Sequence, residues 1–222
     1  TPDDPDRVPA KAEKPIKGFP VRQPATSDEF DSLSLGLQWQ WNHNPVDALW
    51  SLSERPGFLR LHPAKASSIW EARNTLTQKG QGPKSSGIVR LDLSGIQSGA
   101  TCGFGSFGQI CGGIFVTREP DGGIRLSMLV RNDGEGTGIR AKNEPFASDV
   151  LFLKTEMDFI RDVGVCSYSA DGVEWSALGG EFPLVFGWRT GTFQGEQFAI
   201  FCYGRDGGEG YVDVDWFRFS DQ

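Results

Sequence analysis

Histidine and methionine are each present only twice in 222 residues, tyrosine three times and cysteine four times. Two histidines, with no Cys-x-x-Cys pair, argue against a zinc site. No apolar run approaches the roughly 18 residues of a membrane helix. Basic residues are also short: 22 Lys and Arg face 29 Asp and Glu, for a formal charge of −7. An acidic chain without Lys/Arg clusters repels phosphate, which excludes nucleic acid as the expected partner. No signal-peptide pattern follows Thr1. A first residue other than Met reads as a processed or excised piece, with a secreted or periplasmic setting favoured.

Helical signal is missing too. No segment holds a 3.6-residue period over ten residues. What the chain has instead is 29 Gly, 13 Pro, 16 Phe and 7 Trp. A helical bundle wants Ala, Leu, Glu and Lys in their place. At 38% hydrophobic residues the chain can bury a core, so disorder is excluded. The length suits one all-β domain.

Residues 1–27 stand apart. Pro2, Pro5, Pro9, Pro15 and Pro20 crowd the start. Proline at that density forbids a helix or a central strand, so the stretch reads as a linker or N-terminal extension. From residue 28 to 222 the pattern is strands. Leu35 to Asn42 alternates apolar and polar residues, as do 58–61, 88–93 and 124–130. Asp121-Gly122-Gly123 and Ala170-Asp171-Gly172 read as hairpin turns. Residues 197–203 and 211–219 close the chain around a Gly-rich turn. Short strands between Gly, Asp and Pro turns predict an all-β, two-sheet antiparallel β-sandwich.

Catalytic signatures are scarce. There is no Gly-x-Ser-x-Gly elbow and no Cys-His pair of recognisable spacing. His43 at a strand end reads as a hydrogen-bonding loop residue. Gly103 to Gly108 spells Gly-x-Gly-x-x-Gly, but in a β stretch with no following helix it is not a dinucleotide fingerprint. The Glu-x-Asp-x-x-Glu strand pattern of sandwich glycosidases is absent. Asp171-Gly172 departs from the Asp-x-Gly of a sialidase Asp box and reads as a hairpin with Trp175 packing nearby. Cys102, Cys111, Cys166 and Cys202 read as buried thiols, with a Cys102–Cys111 bridge left open.

Two constellations remain. Glu29 and Asp31 open the sandwich, while Asp213 and Asp215 alternate on the last strand, on the face of Phe217 and Phe219. First and last strands commonly pair, so these acids are candidates for a structural calcium site with oxygen ligands. A solvated acidic patch is the competing reading. The second constellation is aromatic. Trp39, Trp41, Trp50, Trp70, Trp188 and Phe193 are candidate sugar stackers. Alternation turns Trp39 and Trp41 inward with Leu35 and Leu37. Gln38, Gln40 and Asn42 then form a candidate sugar-contacting surface. Trp188, Arg189 and Phe193 share a Gly-rich loop, where ligand contact and packing on a neighbour stay equally open.

The run from Leu35 to Pro45, with Trp50-Ser51-Leu52 and Arg55 to Leu61, resembles the C-terminal sandwich of family 43 glycoside hydrolases. These enzymes are β-xylosidases and α-L-arabinofuranosidases. Residues 72–78 and 210–219 carry the resemblance further, as do Lys14-Pro15 and Ser27 to Phe30. It implies a concanavalin-like jelly roll, accessory to a five-bladed catalytic propeller for which residues 28–222 leave no room. It also implies a carbohydrate-binding module, of family 91, recognising β-1,4-xylan or xylo-oligosaccharides without catalysis. In some relatives the sandwich lends a loop aromatic to the propeller's pocket; Phe193 matches that position, with Arg189 beside it. Two other functions compete. The sandwich braces the propeller without sugar affinity of its own, or it is itself a concanavalin-like hydrolase or lyase.

Overall fold

The computed structural model describes residues 16–20, 24–132, 137–187 and 194–221. In chain order the first strands are β1 Gln40–Trp41, β2 Trp50–Ser51, β3 Leu59–Leu61, β4 Ala64–Lys65, β5 Leu76–Lys79 and β6 Lys84–Asp92. Next come β7 Thr101–Phe107, β8 Ile110–Arg118, β9 Ile124–Asn132, β10 Thr137–Phe146 and β11 Val150–Asp158. The chain closes with β12 Val163–Ser169, β13 Ser176–Ala177, β14 Phe182–Pro183, β15 Gln197–Gly204 and β16 Val212–Asp221.

These form two sheets. One runs β1-β5-β15-β7-β8-β9-β10, with β4 added beside β15; the other runs β13-β12-β11-β6-β16-β3-β2, with β14 beside β12. Every pairing but the parallel β4–β15 contact is antiparallel. The all-β sandwich is thus the fold the sequence implies.

Alternation explains the packing. In β11, Leu151, Leu153, Thr155 and Met157 point inward and are buried, while Lys154 and Glu156 point out. Phe104 and Phe198 from one sheet meet Phe217 from the other, with centroids 5.9 to 6.0 Å apart. Gly87 faces this cluster, and a Cβ there would stand 2.9 Å from all three rings. Full burial of each ring contributes about 2–3 kcal/mol.

The first and last segments do pair. Asp28 and Phe217 exchange backbone hydrogen bonds of 2.9 and 2.8 Å. Two details of the predicted alternation fail, for local reasons. Residues 36–39 form a turn closed by Trp39 N–H on Gly36 O, so only Gln40–Trp41 is strand and Leu37 is fully exposed. In β16 a bulge lies between Val214 and Trp216. The extra residue reverses which face follows. Val214 and Phe217 therefore both face the core, and Asp213 does not share a face with Phe217.

All four cysteines are buried free thiols, which removes the Cys102–Cys111 bridge. Cys102 instead lies opposite Cys202 across β7 and β15. Burial pushes the Cys166 thiol up to about 12, against a hydrogen bond from Thr155. Such thiols are inert.

Candidate functional site

The four calcium candidates do not converge. Asp213 is 1% exposed and is held by two arginines. Arg60 donates from Nε and Nη2 at 2.7 and 2.9 Å, and Arg55 adds a third bond of 2.9 Å. Arg55 also donates to Asp92 at 2.7 Å. Burial works to raise the Asp92 carboxyl, but bonds from Ser94 and Arg55 prevail and hold it below the usual carboxylate range. Both guanidinium groups are stacked, Arg60 on Tyr211 at 3.6 Å and Arg55 on Phe58 at 3.7 Å. Asp215 pairs with Arg90, and Glu29 accepts from Arg218 at 2.9 Å. Asp31 is exposed. Among the described residues no group of three or more potential metal ligands occurs. The charge the sequence reads as a cation site is met by arginine.

The aromatic candidates are mostly occupied. Trp39 is buried between Phe30 and Phe217, at 5.7 and 5.1 Å. Trp41 packs on Trp50 at 5.1 Å, and Trp70 on Phe107 at 4.5 Å. The polar candidates are partly tied down. Gln38 Nε2 donates to Asp28 at 3.2 Å, and Asn42 Nδ2 donates to Trp70 O at 2.8 Å. His43 also bonds Trp70 O at 2.8 Å, as a loop residue. Gln40 is exposed on β1. Trp188, Arg189 and Phe193 lie outside the described residues.

Sequence reasoning missed the neck from which their loop departs. Val185 precedes the loop and Glu196 follows it. Val185 N–H donates to Glu196 Oε1 at 3.2 Å, and Ser106 Oγ donates to Oε2 at 2.7 Å. Gly80 N–H donates to the Glu196 backbone oxygen at 3.0 Å. Gly108 makes room: a Cβ there would stand 2.0 Å from Oε1. Glu196 is 6% exposed, and burial pushes its carboxyl up to about 7, against the bonds from Ser106 and Val185. Its pKa suits a general acid, but the carboxyl is enclosed by Ser106, Gly108 and Val185 instead of facing a cleft. The sequence signal was a lone Glu just ahead of a strand that is apolar from Phe198 to Cys202.

Beside the neck, apolar side chains stand open. Leu37 is fully exposed and Phe186 is 66% exposed. Single exposed apolar residues are ordinary, whereas grouped ones are characteristic of surfaces that bind something.

The architecture is that of a concanavalin-type β-sandwich. Residues 27–220 match the family model of the β-xylosidase C-terminal concanavalin A-like domain. The chain belongs to that family. It is 31% identical to a β-xylosidase of Formosa agariphila, over 93% of this chain and 37% of that protein. It is 26% identical to a putative β-xylosidase of Escherichia coli, over 94% of this chain and 42% of that one. Among solved structures it superposes with a TM-score of 0.83 on an engineered family 43 glycoside hydrolase with endo-xylanase and exo-arabinofuranosidase activity. That match is at 28% identity and covers 94% of this chain and 43% of the other. The chain thus spans about two fifths of the length of these relatives.

Proposed function

We propose that this sandwich serves a family 43 β-xylosidase by docking on the catalytic propeller and completing its pocket with the loop between Val185 and Glu196. One observation carries the reading. Among the described residues the candidate sugar stackers Trp39, Trp41, Trp50 and Trp70 pack on other rings, while Leu37 and Phe186 stand open beside a neck built from Glu196, Ser106 and Gly80. Phe193 and Arg189, in that loop, are the residues that would reach the pocket. No proton transfer is assigned to this chain.

A second reading is independent recognition of β-1,4-xylan or xylo-oligosaccharides. Exposed Gln40 and the loop's Trp188, Arg189 and Phe193 support it. One experiment separates the two. The chain is mixed with the catalytic segment of the Formosa agariphila enzyme and, separately, with xylohexaose. Docking predicts co-elution with the catalytic segment and no thermal shift with sugar. A shift with xylohexaose and no co-elution would support the sugar-binding module instead.

A further inference from the structure

Cys102 and Cys202 face each other across the β7–β15 ladder. The flanking pairs, Gly103 with Phe201 and Thr101 with Tyr203, fix that register on both sides. Opposed residues share a face of the sheet, so both thiols enter the same interior. Both are fully buried, in the core that also holds Phe104 and Ile200. Burial pushes both thiols well above their ordinary range, and for Cys202 the charge of Cys102 adds to the rise. The two sulfurs are near enough to sense each other.

The other two cysteines stand where they do not compete. Cys111 lies in the separate cluster of Phe107, Phe115 and Phe201. Cys166 lies on β12 in the second sheet, beside Thr155.

The ladder already supplies the spacing of a cross-link. Directly opposed residues of an antiparallel pair hold their Cα atoms about 4.5–5.5 Å apart. A disulfide spans Cα separations of about 4.4–6.8 Å. Closing the bond asks the Cβ atoms to approach by about 1 Å. The bond would also have leverage. It would close a loop that holds all of β8 to β14, and long loops gain most from closure.

We propose that Cys102 and Cys202 are a disulfide site, oxidised by a disulfide donor of the glutathione type while the chain folds, and that the bond staples β7 to β15. One cysteine thiolate attacks a sulfur of oxidised glutathione, expels one glutathione thiolate and leaves a mixed disulfide. The second cysteine thiolate attacks the cysteine sulfur of that mixed disulfide and expels the other glutathione. Two cysteine thiols are oxidised, one glutathione disulfide is reduced to two thiols, and the two cysteine protons end on them. The step belongs to folding because the closed core shields both sulfurs.

The chain is unfolded in urea with a reductant and refolded with mixed reduced and oxidised glutathione, and in parallel with reductant alone. Remaining thiols are alkylated in denaturant and counted by intact mass, and tryptic peptides locate any bridge. Two of the four thiols are expected to be protected after oxidative refolding, with Cys102 linked to Cys202. Tm is expected to stand about 5–10 °C above that of the reduced sample. A Cys102→Ala, Cys202→Ala double variant is expected to show one Tm in both buffers; if it does not fold, the wild-type comparison decides alone. Alkylation of all four thiols after oxidative refolding would overturn the site. A bridge through Cys111 or Cys166 would overturn the pairing. A Cys102–Cys202 bond that leaves Tm unchanged or lowers it would overturn the staple.

Discussion

The indole N–H of Trp39 donates to Asp28 Oδ2 at 2.7 Å, beneath the backbone bridge that ties Asp28 to Phe217. One carboxylate thus fixes the approach segment, the turn at residues 36–39 and the last strand together. Asp28→Ala leaves the buried indole N–H unmet and frees Gln38. The expected loss is about 1–3 kcal/mol in urea unfolding, as for a buried donor left unsatisfied. Asp28→Asn keeps an acceptor and is expected to lose less.

Gly87 is required by three rings. A methyl there would stand 2.9 Å from Phe104, Phe198 and Phe217 at once. Gly87→Ala is expected to cost about 1–3 kcal/mol as overpacking, despite the better strand propensity of alanine. Chemical denaturation against Gly180→Ala, where the added Cβ meets nothing within 4 Å, checks it.

The neck predicts a pH dependence. The Glu196 carboxyl titrates at about 7 when folded, against 4.5 for an ordinary glutamate. The folded state therefore binds the proton more tightly. Its stabilising contribution is complete below about pH 4.5 and is lost as pH rises through about 7. The difference is on the order of 3 kcal/mol, and Glu196→Gln is expected to remove that part of the slope. Unfolding free energies of both proteins between pH 5 and 8 decide it. Parallel curves would contradict the assignment.

The arginine-held acids predict indifference to chelators. A chelator is expected to leave Tm unchanged, because Asp213, Asp215 and Glu29 already have guanidinium partners. Asp213→Ala is expected to cost about 3–5 kcal/mol, since it strands Arg60 in a largely buried site. Replacing the more exposed Arg55 is expected to cost less.

Much of the fold was legible because period two is a direct imprint of the pleat. Strand β9, Ile124–Asn132, runs over the residues the alternation marks, 124–130. The Asp121 to Gly123 turn closes the β8–β9 hairpin, with Gly122 at φ 88°. Residues 103–108 were legible as a β stretch and fall largely in β7, but the bounds of β7 and the whole of β8 were not marked, because glycines such as Gly103, Gly105 and Gly113 interrupt the apolar alternation. They are needed there: a Cβ on Gly105 would lie 2.6 Å from the Gly113 Cα. The bulge at Val214 was not legible, since it shifts the register of β16 without a residue that announces it. The site was less legible than the fold. Glu196, Ser106 and Gly80 come from three strands or their ends, and only strand pairing brings them together.

The central claim is that the open apolar face beside the loop neck holds the catalytic domain. Its most direct test is the affinity of the Formosa agariphila catalytic segment for the wild-type chain and for a Leu37→Asp, Phe186→Asp double variant, by isothermal titration. Both substitutions fall on exposed side chains, so the chain's own Tm should hold within about 2 °C. The account predicts at least a tenfold loss of affinity. Unchanged affinity, or retention of the wild-type chain on insoluble xylan without any binding to the catalytic segment, would contradict it.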